Sequence, residues 1–454
     1  MPLSPFGKAL SASLSCLSNR KFLYLQGYSK DDMEPTDLLS RTLEMTEPTR
    51  LFIACHATDN VNELALHASR HPDVDMPVAL MQIEGRQKAS EKLSGMTFPQ
   101  GFLFPPRLSL EQCSSSFTAT RKQHIVQQLL QQSPSVGQPT RFADLTGGFG
   151  IDFMHLAPLF DEALYVERNP VLCGLARHNF GLMGLSGARV ECADGTESLL
   201  RLPHVTLLYL DPARRDMHGR KVFGIEDCSP DVAELADELV DKASWVLLKL
   251  SPMLDWHEAL RRLRHAVRLY ILSVGNECKE LLVLMRKDGG PSITVCCENS
   301  ADEPFMFSFS NPAMAPSVQS AEPSGVLPMA PSPAEGCYLY EPNASIMKAG
   351  CFALLARTYQ VAALAANSHL FVSNRLQRRF PGRTFRITAV STFNKHSLRR
   401  MLEPLSQANI AVRNFPMTVQ ALRKRLKLRE GGHVYLFATT LQDGTRLLLQ
   451  CAKV

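Results

Sequence analysis

The run Asp144-Leu145-Thr146-Gly147-Gly148-Phe149-Gly150-Ile151-Asp152 constrains this chain more than any other segment. A β-prone stretch, Phe142 to Leu145, carries Asp144 near its end. Three glycines then supply a turn that other residues would strain, and a helix start follows. Strand, glycine turn and helix in that order make a cradle for a nucleotide-type cofactor. Acids recur at the ends of later strand-like runs, so several carboxylates point at one crevice, as at the switch point of a doubly wound α/β sheet.

From Arg141 onward, short β-rich runs alternate with helical ones, the pattern of a parallel sheet covered on both faces. The expected strands are Phe142 to Leu145, Ala163 to Glu167, Ala188 to Cys192, Val205 to Leu210, Trp245 to Leu250 and Leu269 to Val274. A seventh, Leu281 to Met285, follows Gly275-Asn276-Glu277-Cys278, which is too short for a crossover helix and so implies an antiparallel pair. Six strands plus an antiparallel seventh make the sheet expected of a class I methyltransferase rather than that of a nicotinamide dehydrogenase. Residues 1–117 read as an N-terminal helical domain, with helical pattern at Thr36 to Met45 and Asn62 to Ser69 and a short strand-like piece at Leu51 to Ala54. A methyltransferase domain over 118–310 opens with a helix, Thr118 to Gln132. The Pro/Ser/Ala-rich stretch 311–336 reads as a linker, and 337–454 as a basic α+β domain.

Hydrophobic residues make up 45% of the 454-residue chain, ample for packed cores. The apolar runs are all far shorter than the roughly 20 residues a membrane helix needs. The first residues show no basic, apolar and cleavage pattern in sequence, so the expected location is the cytoplasm. The 12 cysteines are scattered without a Cys-x-x-Cys, which argues for reduced thiols and against structural zinc. No metal is expected.

Gly147, Gly148 and Gly150 permit close backbone approach, and Thr146 and Asp152, which flank them, are candidate cofactor-binding residues with them. Glu167 lies 20 residues after Gly147, where an acid accepts from both ribose hydroxyls. That pair suits a dinucleotide or an adenosyl cofactor. Three acids discriminate: Asp144 can hold a cationic amino group, which a pyrophosphate lacks; Asp194, before Gly195, can accept from an adenine amine; Asp211, before Pro212, ends the fourth strand beside the reaction centre. Each acid taken singly is better explained as a helix N-cap after a strand. Four at consecutive strand ends favour S-adenosylmethionine.

The chain resembles bacterial class I S-adenosylmethionine-dependent methyltransferases of the Bacteroidetes type, which carry an Asp-Pro-Ala-Arg-Arg signature and a C-terminal THUMP-like domain. The matching pieces are Gln82 to Lys88, Gln112-Cys113-Ser114-Ser115, Asp144 to Asp152, Tyr165 to Arg168, Asp211 to Arg215, Lys249 to Met253, Ser273 to Glu277 and Tyr340-Glu341-Pro342-Asn343-Ala344. The resemblance implies fold and cofactor strongly and substrate weakly. Amino-group methyltransferases usually place two prolines and an aromatic after the acid; here Ala213 and Arg214 stand instead, leaving Arg214 as the plane on which a base could stack. A cysteine-nucleophile route would want Pro-Cys at this point, and position 213 is Ala. Asp211 is the candidate for orienting or deprotonating the acceptor. Arg215, Arg220 and Lys221 are candidate phosphate contacts in the same loop, with a solvated basic loop as the plainer reading.

The net charge of +5 conceals an asymmetry. From Cys337 to Val454 there are 18 Lys and Arg against 4 Asp and Glu, a net of +14, leaving 31 basic against 40 acidic residues elsewhere. Arg423, Lys424, Arg425 and Lys427 form the densest cluster, and Phe371, Phe380, Phe385, Phe393 and Phe415 interleave with basic residues. Charge with aromatics is the footprint of RNA binding, although core packing is favoured for the phenylalanines taken alone. The expected activity is therefore methylation of a base in structured RNA, tRNA or rRNA. The rival expectations are a small-molecule methyltransferase and a non-catalytic RNA-binding protein that retains the fold. Oligomeric state is not legible.

Overall fold

The computed structural model describes residues 35–132, 138–213, 224–226, 228–300, 302–313 and 326–454. Arg214, Arg215, Arg220 and Lys221 lie outside these residues, as does much of the Pro-rich stretch. The chain forms two compact units, Met1–Asp211 with Asp241–Ser244, and Pro212–Val240 with Trp245–Val454.

The first unit begins with helices. Pro48 falls in the first turn of the helix Glu47–Cys55, where its missing N–H costs nothing. This helix contains Leu51 to Ala54, the piece read as strand-like. Four β-prone residues are outweighed here by a helical face, because Phe52 and Ile53 are buried against Met76, Ala79, Leu80 and Ile83 of the helix Met76–Lys92. Two residues of the Gln82 to Lys88 motif fix the segment that follows. The Gln82 amide exchanges two hydrogen bonds of 2.9 Å with the Phe104 backbone, and a Cβ on Gly85 would lie 2.4 Å from Phe104 Cβ. The helix Ser116–Gln132 starts two residues before the expected Thr118, and so crosses the 117/118 line, and packs on the helix Ile151–Leu156.

Strands β1 (Arg141–Asp144), β2 (Glu162–Glu167), β3 (Ala188–Cys192) and β4 (Val205–Leu210) lie in the order β3-β2-β1-β4, every pair parallel. The register sets Asp144 beside Tyr165 and Tyr209, so the carboxyl ends of β1, β2 and β4 open toward one side. Fully buried side chains such as Phe142, Phe153 and Tyr165 fill the space beneath the sheet. Each contributes on the order of 1.5 to 3 kcal/mol through burial.

In the second unit, β5 (Ala243–Leu250), β6 (Ala266–Val274), β7 (Glu277–Met285), β8 (Ser292–Asn299) and β9 (Phe305–Ser310) follow the order β5-β7-β6-β8-β9. β7 is antiparallel to both β5 and β6, joined to β6 by a Gly275-Asn276 turn in which both residues have positive φ, 57° and 64°. That is the antiparallel strand expected of a class I methyltransferase sheet. β8 and β9, which the sequence reading passed over, extend the series beyond β6.

The same unit holds a seven-stranded sheet in the order β11-β12-β10-β13-β16-β15-β14, from β10 (Tyr338–Pro342), β11 (Ala362–Ala363), β12 (Phe371–Ser373), β13 (Gly382–Thr392), β14 (Asn409–Arg413), β15 (Val434–Thr440) and β16 (Arg446–Lys453). One apolar cluster groups Leu339, Phe385 and Phe437. A second, with Leu422, Leu436 and Leu448, seats the helices Lys395–Leu402 and Val419–Leu426. Both helices start with a side-chain cap, Asn394 accepting from Ser397 N–H and Thr418 from Ala421 N–H.

Candidate active site

β1 leaves the sheet at Asp144, and the turn that follows is built from glycine because its geometry admits little else. Gly148 and Gly150 have φ of 57° and 86°, and a Cβ on Gly147 would lie 2.1 Å from the Tyr165 ring. Val166 C=O accepts from Gly147 N–H at 2.9 Å, holding the turn against β2. Thr146, expected as a cofactor-binding residue, joins two strand ends. Its hydroxyl accepts from Asp211 N–H at 2.6 Å, while its own N–H donates to Asp144 Oδ1 at 3.0 Å.

Glu167 at the end of β2 accepts one backbone N–H on each carboxylate oxygen, from Gly148 at 2.9 Å and Asn169 at 2.8 Å. Each oxygen keeps lone-pair capacity for a ribose hydroxyl. Asp194 is the N-cap of the helix Gly195–Arg201, its Oδ1 accepting from Thr196 N–H at 2.8 Å. The capping role weighed for it is thus realised, and it sits exposed at the end of β3. Gly195 lets that helix close on β1, since a Cβ there would lie 2.3 Å from Leu145 O.

Asp144 is buried, and burial pushes its carboxyl well above the usual range, reinforced by Asp152, Asp211 and Glu167 nearby. A buried acid with three more acids around it favours a cationic ligand. S-adenosylmethionine, with a sulfonium and an ammonium group, meets that demand, and a pyrophosphate does not. The residues fit the cofactor.

Asp152, expected as a cofactor-binding residue, has side-chain partners within the chain. It lies in the first turn of the helix Ile151–Leu156, where Lys122 Nζ at 3.0 Å, Ser114 Oγ at 2.7 Å and Tyr209 Oη at 2.7 Å all donate to its carboxylate. Lys122 is 0% exposed and also reaches Ser114 Oγ at 2.9 Å. This network braces the cofactor turn from behind and ties it to β4 two residues before Asp211. The sequence held a signal for it. Thr118, Ala119, Lys122, Ile125, Val126 and Leu129 form one buried stripe at helical spacing, so Lys122 sits where an apolar residue would be expected.

Asp211 and Pro212 follow β4, and Ala213 pairs with Ser229 in an antiparallel bridge. In the C-terminal region, Lys424, Arg425 and Lys427 are exposed. Arg423 is turned inward: it donates to Ala408 O at 3.0 Å and lies 3.6 Å from Glu430, with 19% of its side chain exposed. Helix periodicity dictates this, because Arg423 flanks the buried Leu422. Phe371, Phe380 and Phe385 are core residues, whereas Phe393 and Phe415 pack together at 4.8 Å with Arg425 over Phe393.

Glu167→Ala is expected to weaken S-adenosylmethionine binding by about 1.5 to 3 kcal/mol, the range for hydrogen bonds to a charged group. Isothermal calorimetry on the folded variant checks it, and an unchanged affinity would remove Glu167 from the cofactor site.

A parallel sheet in the order β3-β2-β1-β4, an antiparallel β7 between β5 and β6, and acids gathered round a glycine turn define a class I S-adenosylmethionine-dependent methyltransferase. The THUMP domain-like family matches residues 382–453, and a ferredoxin-like domain family matches residues 338–381. A crystal structure of a Porphyromonas gingivalis W83 protein assigned as a methyltransferase is 30% identical, covers 96% of this chain and 98% of its own, and superposes with a TM-score of 0.72. An uncharacterized S-adenosylmethionine-dependent methyltransferase of Mycobacterium tuberculosis is 24% identical over 308 residues, 66% of this chain and 78% of that protein. The chain belongs to the S-adenosylmethionine-dependent methyltransferases that carry a C-terminal THUMP-like domain.

Proposed function

We propose that the protein methylates a base in structured RNA, with residues 337–454 delivering the RNA to the crevice above Asp144, Glu167 and Asp211. The observation that carries this reading is the net charge of +14 on residues 337–454, a region that includes the THUMP-like domain. Phosphate neutralisation by Lys and Arg dominates nucleic-acid affinity, and an acidic body would not need so basic an attachment to recognise a small neutral substrate.

When bound, the cofactor supplies a sulfonium methyl group for in-line displacement. The chain's own residues position it and handle the proton. Glu167 accepts from the ribose hydroxyls, and Asp144 pairs with the amino group. Asp211 orients the acceptor and takes the proton it loses as the new bond to the methyl carbon forms. Arg214, Arg215, Arg220 and Lys221, outside the described residues, are assigned to base stacking and phosphate contact. Contact with the RNA backbone is also assigned to Lys424 and Arg425 of the helix Val419–Leu426 and to Lys427 at its C-cap, with Arg423 in a supporting place.

Incubating total RNA from a deletion strain with the enzyme and S-adenosylmethionine, followed by nucleoside mass spectrometry, tests the reading. A single methylated nucleoside restored to tRNA or rRNA is the expected result. Methyl transfer to a small-molecule fraction with RNA unmodified would overturn it.

A further inference from the structure

The motif Tyr340-Glu341-Pro342-Asn343-Ala344 is not used in the methyl-transfer reading above, yet Glu341 holds the most strongly paired buried carboxylate among the described residues of 337–454. Its side chain is 1% exposed. Arg383, its cross-strand neighbour on β13, donates to Oε2 through both Nε, at 2.7 Å, and Nη2. Arg413, the last residue of β14, donates to Oε1 through Nε at 3.1 Å and Nη2 at 2.7 Å. One buried carboxylate therefore grips two guanidiniums, each by the same edge. Neither Nη1 has a hydrogen-bond partner among the described residues, and the two side chains remain 40% and 38% exposed.

The three groups together carry a charge of +1 presented by two oriented forks. An interstrand staple alone needs one cation to neutralise one carboxylate; the second arginine, half in solvent, is surplus to that purpose. Arg383 is further fixed over the Phe385 ring at 5.5 Å. Such fixation removes in advance the rotamer freedom that an arginine loses on binding a phosphate, and the fork geometry matches phosphate oxygens. Leu339, Phe385 and Ala411, two residues from Glu341, Arg383 and Arg413 along their strands, belong to one apolar cluster, while the basic helices pack on another.

We propose that Arg383 and Arg413, held by Glu341, form a pre-organised site for the phosphodiester backbone of RNA, separate from the basic helix Val419–Leu426. This inference rests on the RNA reading above and adds where the backbone is gripped.

The test is titration of the full-length protein with a synthetic RNA stem-loop at several salt concentrations. Glu341→Gln separates pre-organisation from bulk charge, because it adds one positive charge while loosening both arginines. Affinity is expected to fall about tenfold; tighter or unchanged binding would overturn the proposal. Arg413→Lys keeps the charge and loses the fork, and serves if Glu341→Gln does not fold: about a tenfold loss is expected, and unchanged affinity in the folded variant overturns the site. The triple variant E341Q/R383Q/R413Q leaves no orphaned buried charge, and its salt slope should drop by about 0.7 to 0.9 for each of the two contacts. Wild-type protein that shows no salt-dependent RNA binding would overturn the RNA reading as well. Wild-type binding with all three variants unchanged would overturn the clamp alone.

Discussion

Asp211→Ala is expected to abolish methyl transfer while leaving S-adenosylmethionine affinity within a few fold. The backbone at this point has an anchor of its own, since Asp211 N–H donates to Thr146 Oγ1, whose residue is itself tied to Asp144. Truncation to Ala keeps that anchor at the end of β4 while removing the carboxylate. Loss of a positioned proton acceptor alone lowers rates by about 10² to 10⁴-fold, and lost alignment of the acceptor adds to that. Asp211→Asn separates the two contributions, because it keeps the size and hydrogen-bonding reach but cannot take a proton. Single-turnover rates on the identified RNA, with cofactor affinity measured by calorimetry, provide the check. Retained turnover in Asp211→Ala would show that this residue only supports the loop.

Lys122→Met should produce the largest loss of stability. It would take from the buried Asp152 the cation that Lys122 supplies, and breaking a buried ion pair from one side costs about 3 to 5 kcal/mol. The damage should reach function, because Asp152 lies two residues after Gly150 and accepts from Tyr209 of β4, the strand that leads into Asp211. The double change Lys122→Met with Asp152→Leu removes both charges together and is expected to recover most of the stability, as replacement of a whole buried pair by apolar groups often does. Denaturant titration of the two variants beside the wild type measures this. A loss below about 1 kcal/mol in Lys122→Met, typical of a surface pair, would contradict the bracing role.

Much of the sheet was legible because its signals are local. Ala188–Cys192 and Val205–Leu210 match the expected strands residue for residue, and the turn at Gly275 and Asn276 announced the antiparallel β7. Strand-like character at Leu51 to Ala54 misled for the opposite reason: four residues carry too little information to outweigh a helix whose apolar face is paired across space.

The glycine turn and the strand-end acids, with the charge imbalance of residues 337–454, were fixed by the sequence, since each depends on residue type and short-range spacing. Tertiary structure alone decided what each charge touches. Asp152 and Glu167 look alike in sequence, but the fold gives Asp152 a buried lysine, a serine and a tyrosine, and gives Glu167 two backbone N–H groups at the mouth of the turn. Arg423 and Arg383 are likewise two arginines in a basic region, one turned inward onto Ala408 O and the other fixed by Glu341 from a neighbouring strand. The physical reason is that a charged group's role is set by its burial and its partners, and partners 30 to 72 residues away in the chain become neighbours only when the strands and helices pack.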